Sequence, residues 1–173
     1  MKLFALLPLA FSLLSASIQL PENFQAGFIQ KITNTKEKVI TYKGNVRFSN
    51  ERLFKWSYTE PTQKEVCTDG FEVLVVDHDL EQVSAYVITK GIDIAKILDK
   101  AILHSESIYV TEYENKKYTI QLDKQQRLHS IAYYDDLDNK VQILFNHMKY
   151  GKGDLPVESM KCNYPANYDM IRG

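Results

Sequence analysis

Glycine and proline are scarce in this chain, with seven and five among 173 residues, and neither is clustered. Linkers, low-complexity tracts and internal repeats are thereby excluded, which leaves one domain with room for a substantial core. An excess of either charge is also absent, since 21 Lys and Arg balance 22 Asp and Glu. No electrostatic footprint argues for nucleic acid or an anionic membrane surface as a partner. Long apolar runs are missing too. The stretch from Leu3 to Leu14 is too short to span a bilayer. With Lys2 ahead of it and Ser15, Ala16 and Ser17 behind, it has the layout of a secretory signal peptide. Residues 1–17 are expected to be removed, by cleavage after Ala16 or Ser17, leaving 18–173 as a single exported, soluble domain. No cysteine lies near the junction to carry a lipid anchor.

Catalytic constellations are equally scarce. His78, His104, His129 and His147 are scattered, with no Cys or carboxylate at the spacing of a metal motif. There is no G-x-S-x-G nucleophile elbow and no glycine-rich phosphate loop. Asp77–Asp79 and Asp135–Asp136 fall between extended runs, where acidic residues serve turns. The expectation is a protein that is not an enzyme and holds no metal and no cofactor. Cysteine is limited to Cys67 and Cys162. In an oxidising exported setting the two are expected to pair, closing a loop of about 95 residues for a stabilisation on the order of 4 kcal/mol. The other reading is two separate buried thiols acting as small hydrophobes.

What the chain has in quantity is short extended runs ended by turns. GFIQKIT stops at Asn34-Thr35-Lys36, and VITYKGNVRF alternates at Val46 and Phe48. LFKWSY and KEVC follow, and Asp69-Gly70 marks a hairpin before FEVLVVD. EQVSAYVIT alternates at Val83, Ala85 and Val87; SIYVTEYENKKYTIQLD turns at Asn115; LHSIAYY and KVQILFNHM turn near Asp138-Asn139. About ten such strands joined by short turns predict an antiparallel meander. One stretch departs from the period of two. In GIDIAKILDKAILHS, the residues Ile94, Ile97, Leu98, Ala101 and Ile102 share a helical face. Asp93 is placed to cap this helix and Ile92 to staple against Ile97. A lone amphipathic helix needs an apolar surface to lie on. The predicted architecture is therefore mainly β: a strongly bent antiparallel sheet, an unclosed half barrel, with a helical lid over its concave face.

The strands also carry more bulk than a half-buried sheet requires. Phe54, Trp56 and Tyr58 are spaced by two, so all three point to one face. Phe24, Phe28, Val46, Phe48, Phe71 and Leu74 add to this surplus. An aromatic-lined concavity under a cover suits apolar ligands; the alternative is that these side chains simply fill a core.

Four stretches, in order, resemble the LolA family of periplasmic lipoprotein carriers of Gram-negative bacteria. FQAGFIQ (Phe24 to Gln30) is similar to the family's F-x-A-x-F-x-Q strand, and YKGNVRF (Tyr42 to Phe48) to its Y-x-G-x-V-x-F strand. LFKWSYTEP (Leu53 to Pro61) resembles its L-F-x-W-x-Y-x-x-P signature. DGFEVLVVDHDLEQV (Asp69 to Val83) resembles the segment that follows it, and CNYPANYD faintly echoes the last strand.

The resemblance implies an eleven-stranded unclosed barrel, located in the periplasm and lidded by helices. Its members take triacylated lipoproteins from an inner-membrane lipoprotein-releasing ABC transporter and pass them to an acceptor, LolB or the outer membrane itself. The acyl chains lie on the concave apolar face. Phe24, Phe54 and Trp56 match cavity-lining family positions residue by residue. Phe28, Val46, Phe48, Tyr58 and Leu74 join them as candidate acyl-chain contacts. Ile94, Ile97, Leu98, Ala101 and Ile102 are the candidate lid, and the expected state is a monomer.

Two departures accompany the likeness. Cleavage leaves about six residues before Phe24, so the family's N-terminal helix is short or absent. Asn50 stands where many members carry a lid-tethering Arg, with Arg47 and Arg52 as the substitutes. The alternatives are another periplasmic lipid-binding module, or a non-carrier structural protein of the envelope, on the same fold.

Overall fold

The computed structural model describes residues 18–50, 52–87 and 94–172. The expected signal segment and its cleavage site, and the expected helix cap and staple at Asp93 and Ile92, lie outside these residues.

The chain opens with three long strands, β1 (Asn23–Thr33), β2 (Val39–Ser49) and β3 (Leu53–Glu60). Shorter strands follow: β4 (Lys64–Thr68), β5 (Glu72–Asp77) and β6 (Gln82–Val87). A short helix α1 (Ile94–Asp99) precedes β7 (Ile102–Ser105), β8 (Ile108–Tyr113), β9 (Lys116–Leu122), β10 (Leu128–Tyr134) and β11 (Lys140–Gly151). The chain ends with α2 (Val157–Met160) and β12 (Asp169–Arg172).

The strands form one sheet of 12 in the order β12-β6-β5-β4-β3-β2-β1-β11-β10-β9-β8-β7, open at both ends. Ladders between neighbours are antiparallel except that of β12, which lies parallel to β6. An open, mainly antiparallel sheet agrees with the predicted half barrel. The strand number exceeds both the ten or so expected from the turn signals and the eleven implied by the resemblance.

Turn chemistry explains the hairpins. Asn34, Asp69, Asp123 and Asp135 each accept two backbone N–H bonds from the residues just ahead, at 2.9–3.0 Å. Such Asx turns replace ladder bonds where the chain reverses. Glu114 and Asn115, at φ 49° and 61°, make the two-residue β8–β9 turn. Asn50 holds φ 53° at the β2–β3 turn. Asn tolerates this left-handed region better than Arg does, which gives a local reason for the missing family arginine.

The helix is shorter than expected. Ala101 donates its N–H to the Leu98 carbonyl and closes the turn. Ile102 then pairs with Val110 in the β7–β8 ladder, so Ile102 belongs to an edge strand and not to the lid. It is 70% exposed.

Both faces of the sheet are covered over part of their area. The main core lies on the concave face, where β1, β2, β9, β10 and β11 contribute alternate residues and α1 contributes Ile97 and Leu98. The N-terminal tail adds Ile18 and Leu20 to it, and residues 18–22 form no helix. In β11 a bulge opposite Ala26, with His147 at φ 50°, shifts the alternation so that Met148 points inward. A smaller apolar group, Cys67, Val76, Val83 and Ala85, occupies the convex face, together with Met160 of α2.

Candidate functional site

The three family-like stretches at the front of the domain are the concave stripes of β1, β2 and β3. Their registers set Phe24, Phe48 and Phe54 in one row across the sheet, Ala26, Val46 and Trp56 in the next, and Phe28, Gly44 and Tyr58 in a third. Gly44 is required by close approach. A Cβ there would lie 2.0 Å from the Ser57 carbonyl oxygen and 2.9 Å from the Phe28 ring.

The rings pack edge to face and offset. Phe24 stacks on Phe48 at 5.1 Å, Phe28 meets Trp56 at 4.8 Å and Tyr58 at 5.1 Å, and Phe54 lies 6.0 Å from Trp56. Each such pair contributes about 0.5–1.5 kcal/mol beyond area burial.

This packing divides the candidate contacts into two sets. Phe24, Phe28, Val46 and Phe48 are each 1% exposed and belong to the filled core. They are covered by neighbouring rings and so do not line the cavity, which corrects the expectation for these four. Phe54, Trp56 and Tyr58 are half-buried and form one wall of an apolar cavity of about 320 Å³. Val66 and Val73 extend that wall across β4 and β5, while Tyr118, Ile131, Tyr133 and Ile143 form the other wall. Ile97 of α1 is the lid residue that touches the cavity. Leu98 and Ala101 are buried beside it in the concave core. The side chain of Ile94 is outside the described residues.

Three further expectations are corrected. Leu74 pairs with Cys67, one position out of phase with Val66 and Val73, so it faces the convex side. Its run, VLVV, is apolar on both faces and carries no alternation to read. Arg47 lies between Val46 and Phe48 and therefore points to the convex face, where its guanidinium donates to the Ser159 carbonyl at 2.9 Å. It fastens the C-terminal segment and not the lid. Phe71, counted with the apolar surplus, is 71% exposed at the β4–β5 turn. Arg52 is exposed, its side chain lying against Gly70 of the same turn.

Cys67 and Cys162 are disulfide-bonded, as expected. They join β4 to the segment after α2 on the convex face. Beside them is a feature that sequence reasoning missed. Lys55 is 6% exposed, pairs with Glu65 at 2.9 Å and donates to the Lys161 carbonyl at 2.6 Å. Glu65 also accepts from the Asn163 N–H at 2.8 Å. Among the described residues, the group with metal-ligand composition is Glu65, Cys67 and Cys162, and its two sulfurs are spent on each other. Asp77 ends β5 and Asp79 lies in the turn after it: Asp77 pairs with Lys64 at 2.9 Å and accepts from the Leu80 N–H, and Asp79 accepts from the Gln63 N–H.

The other cavity residues were visible as strand faces, Tyr118 with Ile120, Ile131 with Tyr133, Val141 with Ile143. Their membership in one cavity with Phe54 depends on β11 docking against β1, a pairing of segments far apart in the chain. Burial, reinforced by neighbouring phenols, pushes the Tyr58 hydroxyl up to about 12, and burial likewise raises Tyr133 to about 12. Both stay neutral across the physiological range. Among the described residues the lining contains no carboxylate, imidazole, cation or free thiol. Its chemistry is that of an apolar receptacle with neutral polar groups.

A family profile described as "Outer membrane lipoprotein carrier protein LolA" matches residues 21–115, a span that runs from before β1 through the aromatic stripe and α1 into the β8–β9 turn. The outer-membrane lipoprotein carrier protein of Campylobacter jejuni is 35% identical over 150 residues, 86% of this chain and 86% of the relative. That of Wolinella succinogenes is 30% identical over 144 residues, 83% of this chain and 84% of the relative. Among solved structures, an uncharacterized conserved protein from Thermus thermophilus superposes with a TM-score of 0.58 at 13% identity, over 89% of this chain and 92% of that one, a likeness of fold alone. With half its length matched by the profile and most of it by curated relatives, this chain belongs to the LolA family of outer membrane lipoprotein carrier proteins.

Proposed function

We propose that the protein carries triacylated lipoproteins from the inner membrane towards the outer membrane, sheltering their acyl chains in the cavity beneath α1. The observation that carries this reading is the stripe Phe54, Trp56 and Tyr58, three aromatic side chains left half-buried around an apolar cavity. The names of the relatives from Campylobacter jejuni and Wolinella succinogenes support it. Residues 1–17 direct export, and 18–173 work as a single monomeric domain in the periplasm, an oxidising compartment that suits the Cys67–Cys162 disulfide. The donor is a lipoprotein-releasing ABC transporter, the acceptor is LolB or the membrane itself, and no bond of the cargo is made or broken.

Magnitudes shape the mechanism. At about 0.8 kcal/mol per methylene, one buried 16-carbon chain contributes roughly 12 kcal/mol. Several chains held so fully would not leave on a useful timescale. The cavity, about 320 Å³, sits at the small end of the range of about 300–1,000 Å³ for small-molecule sites, so loading requires α1 to move. Exposing Ile97 and Leu98, now 2% and 0% exposed, costs about 1.5–3 kcal/mol each. That cost is subtracted from cargo affinity and returned when α1 closes, which lets an acceptor win.

Native mass spectrometry of the mature protein recovered from its own periplasm tests the proposal. A one-to-one complex with acylated lipoprotein is the expected species. Ligand-free protein, with lipoproteins still correctly sorted after its depletion, would leave the cavity without a cargo and overturn the reading.

A further inference from the structure

The cavity is not uniform along its length. At one end the wall is Phe54 and Trp56, backed by the filled core of Phe24, Phe48, Ala26 and Val46, and apart from the Trp56 indole N–H it is hydrocarbon. Tyr150 packs against Phe24 there, its hydroxyl oxygen accepting from the Leu128 N–H at 2.8 Å. At the other end the concave side chains turn polar without becoming charged. Tyr58 faces the Tyr42 ring at 5.8 Å, Gln30 follows Phe28 on β1, and Tyr133 lies 5.2 Å from Tyr118 across the opposite wall. Among the described residues, the Tyr58 and Tyr133 hydroxyls have no hydrogen-bond partner. Yet no described buried side-chain polar atom is left unsatisfied. Tyr58 and Tyr133 both line the cavity.

Resting on the carrier reading above, we infer that the Tyr58 and Tyr133 phenols, with the Gln30 amide, form a subsite for the acyl carbonyls of the cargo, donating hydrogen bonds to its ester and amide oxygens. A hydrocarbon chain alone gains nothing from a ring of phenols. A neutral carbonyl at the root of the chain does, because it would otherwise enter the cavity stripped of water. Among the described residues the lining offers no cation to balance an ionised carboxylate, so an esterified chain is preferred over a free fatty acid. The phenols remain protonated donors at any physiological pH. The subsite also fixes orientation. The tails point towards Phe54 and Trp56, and the protein part of the cargo leaves past Tyr58 and Tyr133.

The test compares three ligands of equal chain length, a diacylglycerol, its dialkyl ether analogue and the free fatty acid, by displacement of a hydrophobic fluorophore from the mature protein. The diester is expected to bind about tenfold tighter than the diether, the sum of two neutral hydrogen bonds. The fatty acid is expected to bind more weakly than the diester above pH 7. Tyr58→Phe combined with Tyr133→Phe keeps both rings and should erase the ester preference, bringing diester and diether to equal affinity. Equal affinity of diester and diether in the unaltered protein would overturn the subsite even if the double variant fails to fold. A preference that survives in the folded double variant would do the same. If none of the three displaces the fluorophore, the carrier reading itself falls and the subsite with it.

Discussion

The two faces of the sheet are built for opposite purposes. On the concave face, half-buried rings meet a cavity, and the cover is a helix of six residues held by Ile97, Leu98 and the Ala101 that follows it. On the convex face behind β2 to β6, the C-terminal segment is fastened at every step. Ser49 accepts from the Leu155 N–H, Arg47 binds the Ser159 carbonyl, Lys55 binds the Lys161 carbonyl and Cys162 is bonded to Cys67. Among the described residues, one cover is held mainly by side-chain burial, with Lys100 over the Tyr113 ring beside it, and burial is a contact that an apolar ligand also makes. The other is held by directional and covalent bonds for which a hydrocarbon chain offers no substitute. A carrier needs that asymmetry, because a sheet that opened on both faces would lose its shape on loading.

The comparison can be broken most severely from the convex side. Glu65→Ala leaves the buried Lys55 ammonium without its counter-charge, and removing one member of such a pair costs about 3–5 kcal/mol. Urea unfolding should show that loss, with ligand affinity of the folded fraction unchanged. Replacing both cysteines by serine should cost about 2–4 kcal/mol, again with the cavity intact. If either change altered ligand affinity as much as stability, the two faces would not be independent.

On the concave side the ratio reverses. Trp56→Ala truncates a half-buried ring, so its stability cost falls below the roughly 3–5 kcal/mol of a fully buried aromatic, at about 1–2 kcal/mol, whereas acyl-ligand affinity falls at least tenfold. A thermal shift paired with a binding isotherm separates the two effects.

The smallest effect is alkaline. The folded pKa values of Tyr58 and Tyr133 are raised to about 12 from 10.0. The unfolded chain therefore releases these protons first, and stability falls as pH rises from 10 towards 12, by on the order of 1 kcal/mol per group at pH 11. Tyr58→Phe should flatten that slope in denaturant titrations.

How far the sequence could be read follows the same division. The concave stripes were legible because a strand's period of two is local. Phe24, Phe28, Phe48, Phe54 and Trp56 declare a common face without any knowledge of the neighbours. Burial within that face was not legible, since whether Phe48 is core and Trp56 is wall depends on which rings lie across the ladder. Leu74 was misplaced because an apolar run carries no phase. Ile102 was misplaced because a short apolar run fits a helix or an edge strand, and pairing with β8 decides. The convex clamp was almost invisible. The cysteines hinted at it, but Lys55 reads as an ordinary strand lysine until residues 155–163 are brought over it. The open mainly antiparallel sheet itself was readable from turn signals, whereas the parallel β12 was not, because nothing near it in sequence marks its partner.

Trp56 is the sole tryptophan of the chain and stands in the cavity wall, so its fluorescence reports on that wall alone. The most direct test of the central claim is to titrate the mature protein with a triacylated lipopeptide whose acyl chains carry bromine, a contact quencher. Quenching of Trp56 that saturates at one lipopeptide per protein, and is absent with the same peptide lacking its acyl chains, is the predicted result. Stoichiometric binding that leaves Trp56 unquenched would place the acyl chains elsewhere and contradict the account.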